Sequence, residues 1–229
     1  MKDRLIVALD VPDRKEAQRV VRLLQKQVSL FKVGLELFTA EGPDVVSMIH
    51  DEGGRVFLDL KFHDIPNTVA RACASAARLG VFMMNVHARG GREMMKAASQ
   101  AVRSSKGTKP ILLGVTVLTS DPKKSQTSRD VARLARDAKA SGLNGIVCSP
   151  QEAASARKAC GKQFVIVTPG IRPAGAERGD QRRVTTPSRA LRNGSDYLVV
   201  GRPILQSQDP QAAVSEIIVE MMATTRPPV

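Results

Sequence analysis

The stretch Val56-Phe57-Leu58-Asp59-Leu60-Lys61 is apolar, β-branched at its start and charged at its end, and a pattern of helical length follows at Pro66–Leu79. Successive residues of a strand point to opposite faces. The odd positions therefore share one face: Asp59 and Lys61 project together, while Leu58 and Leu60 turn toward a covering helix. This is one strand–helix unit. Seven further apolar runs repeat it: Leu5–Leu9, Leu30–Val33, Phe82–Val86, Ile111–Val117, Gly145–Cys148, Phe164–Thr168 and Tyr197–Val200. Amphipathic segments lie between most of them, at Arg14–Gln27, Gly91–Arg103, Ser128–Ser141, Pro150–Cys160 and Asp209–Met222. Alternation of this kind predicts a parallel sheet. Eight units in 229 residues predict an α/β fold, one (β/α)8 TIM barrel spanning residues 1–229. A doubly wound open sheet is the alternative. It usually carries a Gly-rich phosphate turn after its first strand, and Leu9-Asp10-Val11-Pro12-Asp13 contains no glycine.

Charge falls where such a barrel builds its active site, at the C-terminal ends of the strands. Asp10 ends the first strand, Lys32 lies near the end of the second, and Asp59 and Lys61 end the third with Asp64 just beyond. His87, Thr119, Arg172 and Gly201-Arg202 follow strands four, five, seven and eight. Charges taken out of water are costly unless paired. Lys32, Asp59, Lys61 and Asp64 supply both signs. An opposite pair about 4 Å apart gains roughly 4 kcal/mol at an effective dielectric near 20. An interleaved set of this kind makes a fixed field that could hold a proton beside a developing carbanion. The loops Thr168-Pro169-Gly170-Ile171-Arg172 and Val200-Gly201-Arg202-Pro203-Ile204 have a different character. Glycine lets backbone N–H groups approach an anion, arginine binds phosphate through two donors, and Pro203 could open a short anion-favouring helix. Two long loops, Leu118–Thr127 and Pro169–Arg183, are candidates for binding or closure.

Composition narrows the function classes. The formal charge is +13, from 35 basic and 22 acidic residues. The basic residues are scattered along helical faces, as in Arg14, Lys15, Arg19, Arg22 and Lys26. With one Tyr, six Phe and no Trp, few rings exist to stack on bases, which argues against a nucleic-acid partner. No apolar run is long enough to span a membrane, and the N-terminus lacks the features of a signal peptide. Cys73, Cys148 and Cys160 are too few and too scattered for a disulfide framework or zinc site. Buried reduced thiols and a cytoplasmic location are expected.

The segment Asp59-Leu60-Lys61-Phe62-His63-Asp64-Ile65-Pro66-Asn67-Thr68 resembles the D-x-K-x-x-D-I-P-x-T signature of orotidine 5'-phosphate decarboxylases. The likeness continues through Ala8-Leu9-Asp10, Phe31-Lys32-Val33-Gly34, Val86-His87, Val117-Leu118-Thr119-Ser120, Thr168–Arg172, Gly179-Asp180-Gln181 and Gly201–Ile204, and it is similar to the short bacterial branch. The resemblance implies decarboxylation of orotidine 5'-phosphate to UMP without metal or organic cofactor, in a homodimer with shared sites. By resemblance, Asp10 and Thr68 bind ribose hydroxyls, Thr68 reaching in from the neighbouring subunit. Lys32 bonds the sugar and positions Asp59, Asp59 sits against the substrate carboxylate, and Lys61 protonates C6. Asp64 crosses the dimer interface. Thr119 or Ser120 contacts the pyrimidine, Gln181 bridges base and phosphate, and Gly201, Arg202 and Arg172 hold the phosphate, with Pro169 among the substrate contacts. His87 is open between a core histidine and a substrate contact. The nearest rival in the same suprafamily, a 3-keto-L-gulonate 6-phosphate decarboxylase, uses Mg2+ and carries Glu where this chain has Lys32.

Overall fold

The computed structural model describes residues 1–117, 127–173 and 185–223. Apolar runs of three to eight residues form the strands β1 (Leu5–Ala8), β2 (Leu30–Val33), β3 (Arg55–Phe62), β4 (Met83–His87), β5 (Ile111–Val115), β6 (Gly145–Val147), β7 (Val165–Thr168) and β8 (Tyr197–Val200). Each pairs in parallel with its sequence neighbours, and β8 closes on β1. The result is a closed eight-stranded parallel barrel, as the alternation predicts.

Ten α-helices accompany the strands among the described residues: α1 (Arg14–Leu24), α2 (Leu35–Glu41), α3 (Asp44–Asp51), α4 (Pro66–Arg78), α5 (Gly91–Ser104), α6 (Thr127–Ala140), α7 (Ala153–Cys160), α8 (Pro187–Arg192), α9 (Arg202–Leu205) and α10 (Pro210–Met222). Several starts are written locally. Asp13 caps α1 by accepting from the Glu16 N–H, and Asp209 caps α10 by accepting from Gln211 and Ala212. Pro187 and Pro210 occupy first-turn positions where a missing N–H costs nothing. The short helices α2 and α3 fill the link between β2 and β3, for which the sequence pattern gives no helix. They have seven and eight residues and are separated by Gly42-Pro43, too short for apolar periodicity to stand out.

The apolar residues divide into two shells. Leu5, Val7, Phe31, Val33, Val56 and Leu58 face outward and pack against helical residues such as Val21, Leu24, Val45 and Ile49. Ile6, Leu30, Phe57, Met83, Leu113, Val167 and Val199 fill the barrel interior. Burying a side chain the size of Phe57 contributes about 1.5–3 kcal/mol. This interior plug closes the barrel below and leaves the next inward positions, toward the C-terminal strand ends, for polar side chains.

Candidate active site

Those positions open into a cavity of about 230 Å³ at the C-terminal mouth. Its floor is apolar, with Ala8, Phe57, Val147 and Val199. Asp10, Lys32, Asp59 and Lys61 line one side, and Pro169, Arg172, Gly201 and Arg202 line the part reached by β7 and β8. These eight sequence-predicted residues are therefore brought together.

The charged side forms a chain of contacts. Lys32 is buried, and its Nζ donates to Asp10 Oδ1 at 2.9 Å and lies 3.6 Å from Asp59 Oδ2. Lys61 Nζ donates to Asp59 Oδ1 at 2.8 Å. Asp59 thus stands between two ammoniums, one per carboxylate oxygen. Its side chain is 13% exposed, while that of Lys61 is 32% exposed. The carboxylate is withdrawn and the Lys61 ammonium reaches toward the opening.

Parity puts Asp59 and Lys61 on one face, but the strand is not regular there. Leu58 pairs with Met84 and Phe62 pairs with Val86, so β3 uses two more residues than β4 over the same stretch. An even insertion preserves the in–out alternation. Lys61 takes a φ of +51°, the left-handed value of a non-glycine residue that occurs nowhere else among the described residues. Its backbone N–H donates to the Asn85 side chain at 2.8 Å. Asn85 also donates from Nδ2 to Asp59 Oδ1 at 2.6 Å. The sequence reading missed Asn85. Its signal was an amide on the inward parity of a strand apolar up to His87, since Met83 and Asn85 are two apart on β4.

Among the phosphate-end candidates, Gly201 packs closely against the end of β1. A Cβ on Gly201 would meet Ala8 Cβ and Asp10 Oδ2, each at 3.3 Å. Arg202 begins α9, with Pro203 in the first turn. Arg172 is buried beside the bridge between Ile171 and Thr185, and its backbone N–H donates to the Thr185 carbonyl at 3.0 Å.

Other candidates lie apart. Asp64 and Thr68 are exposed and do not line the cavity of this chain; Asp64 Oδ1 accepts from the Ile65 N–H. Thr119, Ser120 and Gln181 lie outside the described residues, as do parts of both long loops. His87 does not line the cavity either. Its ring stacks on His63 at 5.1 Å, and its Nδ1 accepts from the Arg89 N–H. Burial, then the charges of His63, Arg89 and Lys61, hold its pKa below the ordinary value. Cys148 borders the cavity, but burial pushes its thiol pKa far up, away from the nucleophilic thiolate. All three cysteines are buried and free. No helix among the described residues is long and apolar enough to cross a membrane.

Comparison with known proteins places the chain in a family. A profile of the family described as "Orotidine 5'-phosphate decarboxylase / HUMPS family" matches residues 3–217. An orotidine 5'-phosphate decarboxylase of Moorella thermoacetica is 52% identical, covering 96% of this chain and 92% of its own. One from Syntrophotalea carbinolica is 53% identical, covering 97% and 96%. The crystal structure of orotidine 5'-phosphate decarboxylase from Lactobacillus acidophilus superposes with a TM-score of 0.83 at 37% identity, over 96% of this chain and 99% of that one. With its closed barrel and a family match over almost its full length, the chain belongs to the orotidine 5'-phosphate decarboxylase / HUMPS family.

Proposed function

We propose that this chain, working as a single barrel domain, decarboxylates orotidine 5'-phosphate to UMP and CO2, the last step of pyrimidine biosynthesis, with Lys61 as the proton donor to C6. The observation that carries the proposal is the Lys32–Asp59–Lys61 array at 3.6 and 2.8 Å on one side of a cavity whose β7–β8 side offers Arg172 and Arg202. The family and the relatives' names supply the reaction.

The chemistry explains why such an array is needed. When the C6–carboxylate bond breaks, its electron pair stays on C6 in an sp2 orbital lying in the ring plane. The ring's π system cannot delocalise it. Stabilisation then has to come from charge already in place. The Lys61 ammonium supplies that charge and then its proton, forming the C6–H bond, and is reprotonated from solvent. Asp59 orients both ammoniums and sits against the departing carboxylate. Lys32 fixes Asp59 and, with Asp10, meets the ribose. The ammonium of Lys32 between two carboxylates fills with its own charge the place a cation would take, so the proposed step draws on no metal ion.

Pro169, Arg172, Gly201 and Arg202 form the phosphate end, with Gln181 linking phosphate to base and Thr119 and Ser120 on the pyrimidine. Binding energy from the phosphate supports catalysis at a distance. Asp64 and Thr68 serve the site of a second copy in a homodimer. Two features support that reading: residues 63–68 are all exposed, Ile65 to 66%, and the outer face of β3 carries an apolar hollow between Phe38, Leu60 and Phe62. The free buried cysteines accord with a cytoplasmic site of action.

The test is to add orotidine 5'-phosphate to purified, chelator-treated protein and follow the nucleotide's absorbance. Steady conversion to UMP at the untreated rate is expected. No conversion, or activity lost on chelation, would contradict the proposal.

A further inference from the structure

Asn85 is 0% exposed inside the barrel and does not line the cavity, so it acts on nothing that binds there directly. A buried amide is costly unless both its ends are matched. Here they are matched to the two residues proposed to work at C6. The Asp59 carboxylate can only accept and the Lys61 backbone N–H can only donate, so chemistry alone assigns Nδ2 to Asp59 and Oδ1 to Lys61.

The bond to Lys61 meets a specific need. Pairing between β3 and β4 skips from Leu58 to Phe62, so the Lys61 N–H falls where the ladder is interrupted. The left-handed φ of Lys61 is unfavourable for an L-residue and persists only where its surroundings hold it. The Asn85 carbonyl oxygen takes the place of the missing ladder acceptor. Its NH2 at the same time fills a lone pair on the Asp59 oxygen that also receives the Lys61 ammonium.

We propose that Asn85 is a positioning residue for the decarboxylation: it locks the Asp59 carboxylate and the Lys61 backbone into one unit and so aims the Lys61 ammonium at the reacting carbon. The inference rests on the catalytic reading of Asp59 and Lys61 given above. It also says why an amide stands there. An acid is nearly the same shape and would still accept from the Lys61 N–H, but it could donate to Asp59 only while protonated. Among the described residues, the charged groups tied to position 85 are Asp59 and Lys61 from β3, with Lys32 beyond Asp59; His87 stands two residues on along β4, with His63 of the β3–α4 link stacked on its ring. The neighbouring β5 offers Leu113 and Val115.

The experiment compares wild type, Asn85→Leu, Asn85→Asp and Lys61→Ala for kcat and KM on orotidine 5'-phosphate across pH, with UMP affinity and melting temperature in parallel. Asn85→Leu is expected to lose about 10- to 100-fold in kcat, with KM and UMP affinity within about threefold of wild type. Two carboxyls sharing one site retain a proton to higher pH than either alone. The kcat of Asn85→Asp relative to wild type should therefore recover, by about tenfold, on going from about pH 8 to about pH 5.5. A near-wild-type kcat in Asn85→Leu overturns the proposal. So does a fall in kcat matched by UMP affinity and melting temperature, which would mean a merely structural role. Should Asn85→Leu fail to fold, Asn85→Asp decides: a relative kcat that does not change with pH overturns the proposal. Lys61→Ala separates the two readings. Wild-type turnover in that variant refutes the catalytic reading itself, whereas an inactive Lys61→Ala beside an unaffected Asn85→Leu refutes only the role of Asn85.

Discussion

Asp59 is the residue on which the charges converge. Its two oxygens meet Lys32, Lys61 and Asn85, and its side chain is largely withdrawn from water. Removing one partner from such a cluster leaves its opposite charges uncompensated, which is more damaging than never having built it. His87, two residues beyond Asn85, has a different consequence. Its pKa is held below the ordinary 6.5 by burial and by its positive neighbours. The unfolded chain therefore takes up a proton at a pH where the folded chain does not. Stability contributed by the neutral ring is complete above 6.5 and is lost as pH falls from there toward the folded pKa. We expect the melting temperature of wild type to fall more steeply below that point than the melting temperature of His87→Asn, which keeps an acceptor for the Arg89 N–H. Parallel curves would show that the ring does not carry this linkage.

At the scale of elements, β7 and β8 end in short segments that deliver Arg172, Gly201 and Arg202 to the cavity. Charge-assisted hydrogen bonds to phosphate are each worth about 1.5–3 kcal/mol, so Arg202→Ala should raise KM by about 10- to 100-fold, with a smaller loss in kcat. Steady-state kinetics on orotidine 5'-phosphate would check this, and an unchanged KM would remove Arg202 from the proposed phosphate site. The same ends explain what the sequence made legible. Strand β3 announced itself because its outward leucines and inward charges alternate, and the candidate phosphate end because Gly201 and Arg202 directly follow the apolar run of β8. Alternation could not reveal the extra residues of β3 or the left-handed Lys61, since an even insertion leaves parity intact. Asn85 escaped notice for a related reason: one amide in an apolar strand has no meaning until its partners across the sheet are known. The helices α2 and α3 were too short to register as periodicity.

Across the whole molecule, an apolar plug closes one end of the barrel and leaves charges of fixed geometry at the other. On the outside, Ile65 just before α4 and Leu35 at the start of α2 are 66% and 56% exposed, and an apolar hollow lies between β3 and α4 at Leu60, Phe62 and Ala76. A charge at the centre of an apolar interface is strongly unfavourable. Ile65→Asp should convert the proposed homodimer to monomer in sedimentation and abolish most turnover, whereas a fully active monomer would remove Asp64 and Thr68 from the site. In the proposed enzyme, holding the nucleotide at the β7–β8 end is separate from the chemistry at β3. Measuring turnover and UMP affinity together in Lys61→Ala tests that separation most directly. The predicted result is turnover reduced by at least about 10³-fold with UMP affinity retained within about tenfold; turnover near that of wild type would contradict the account.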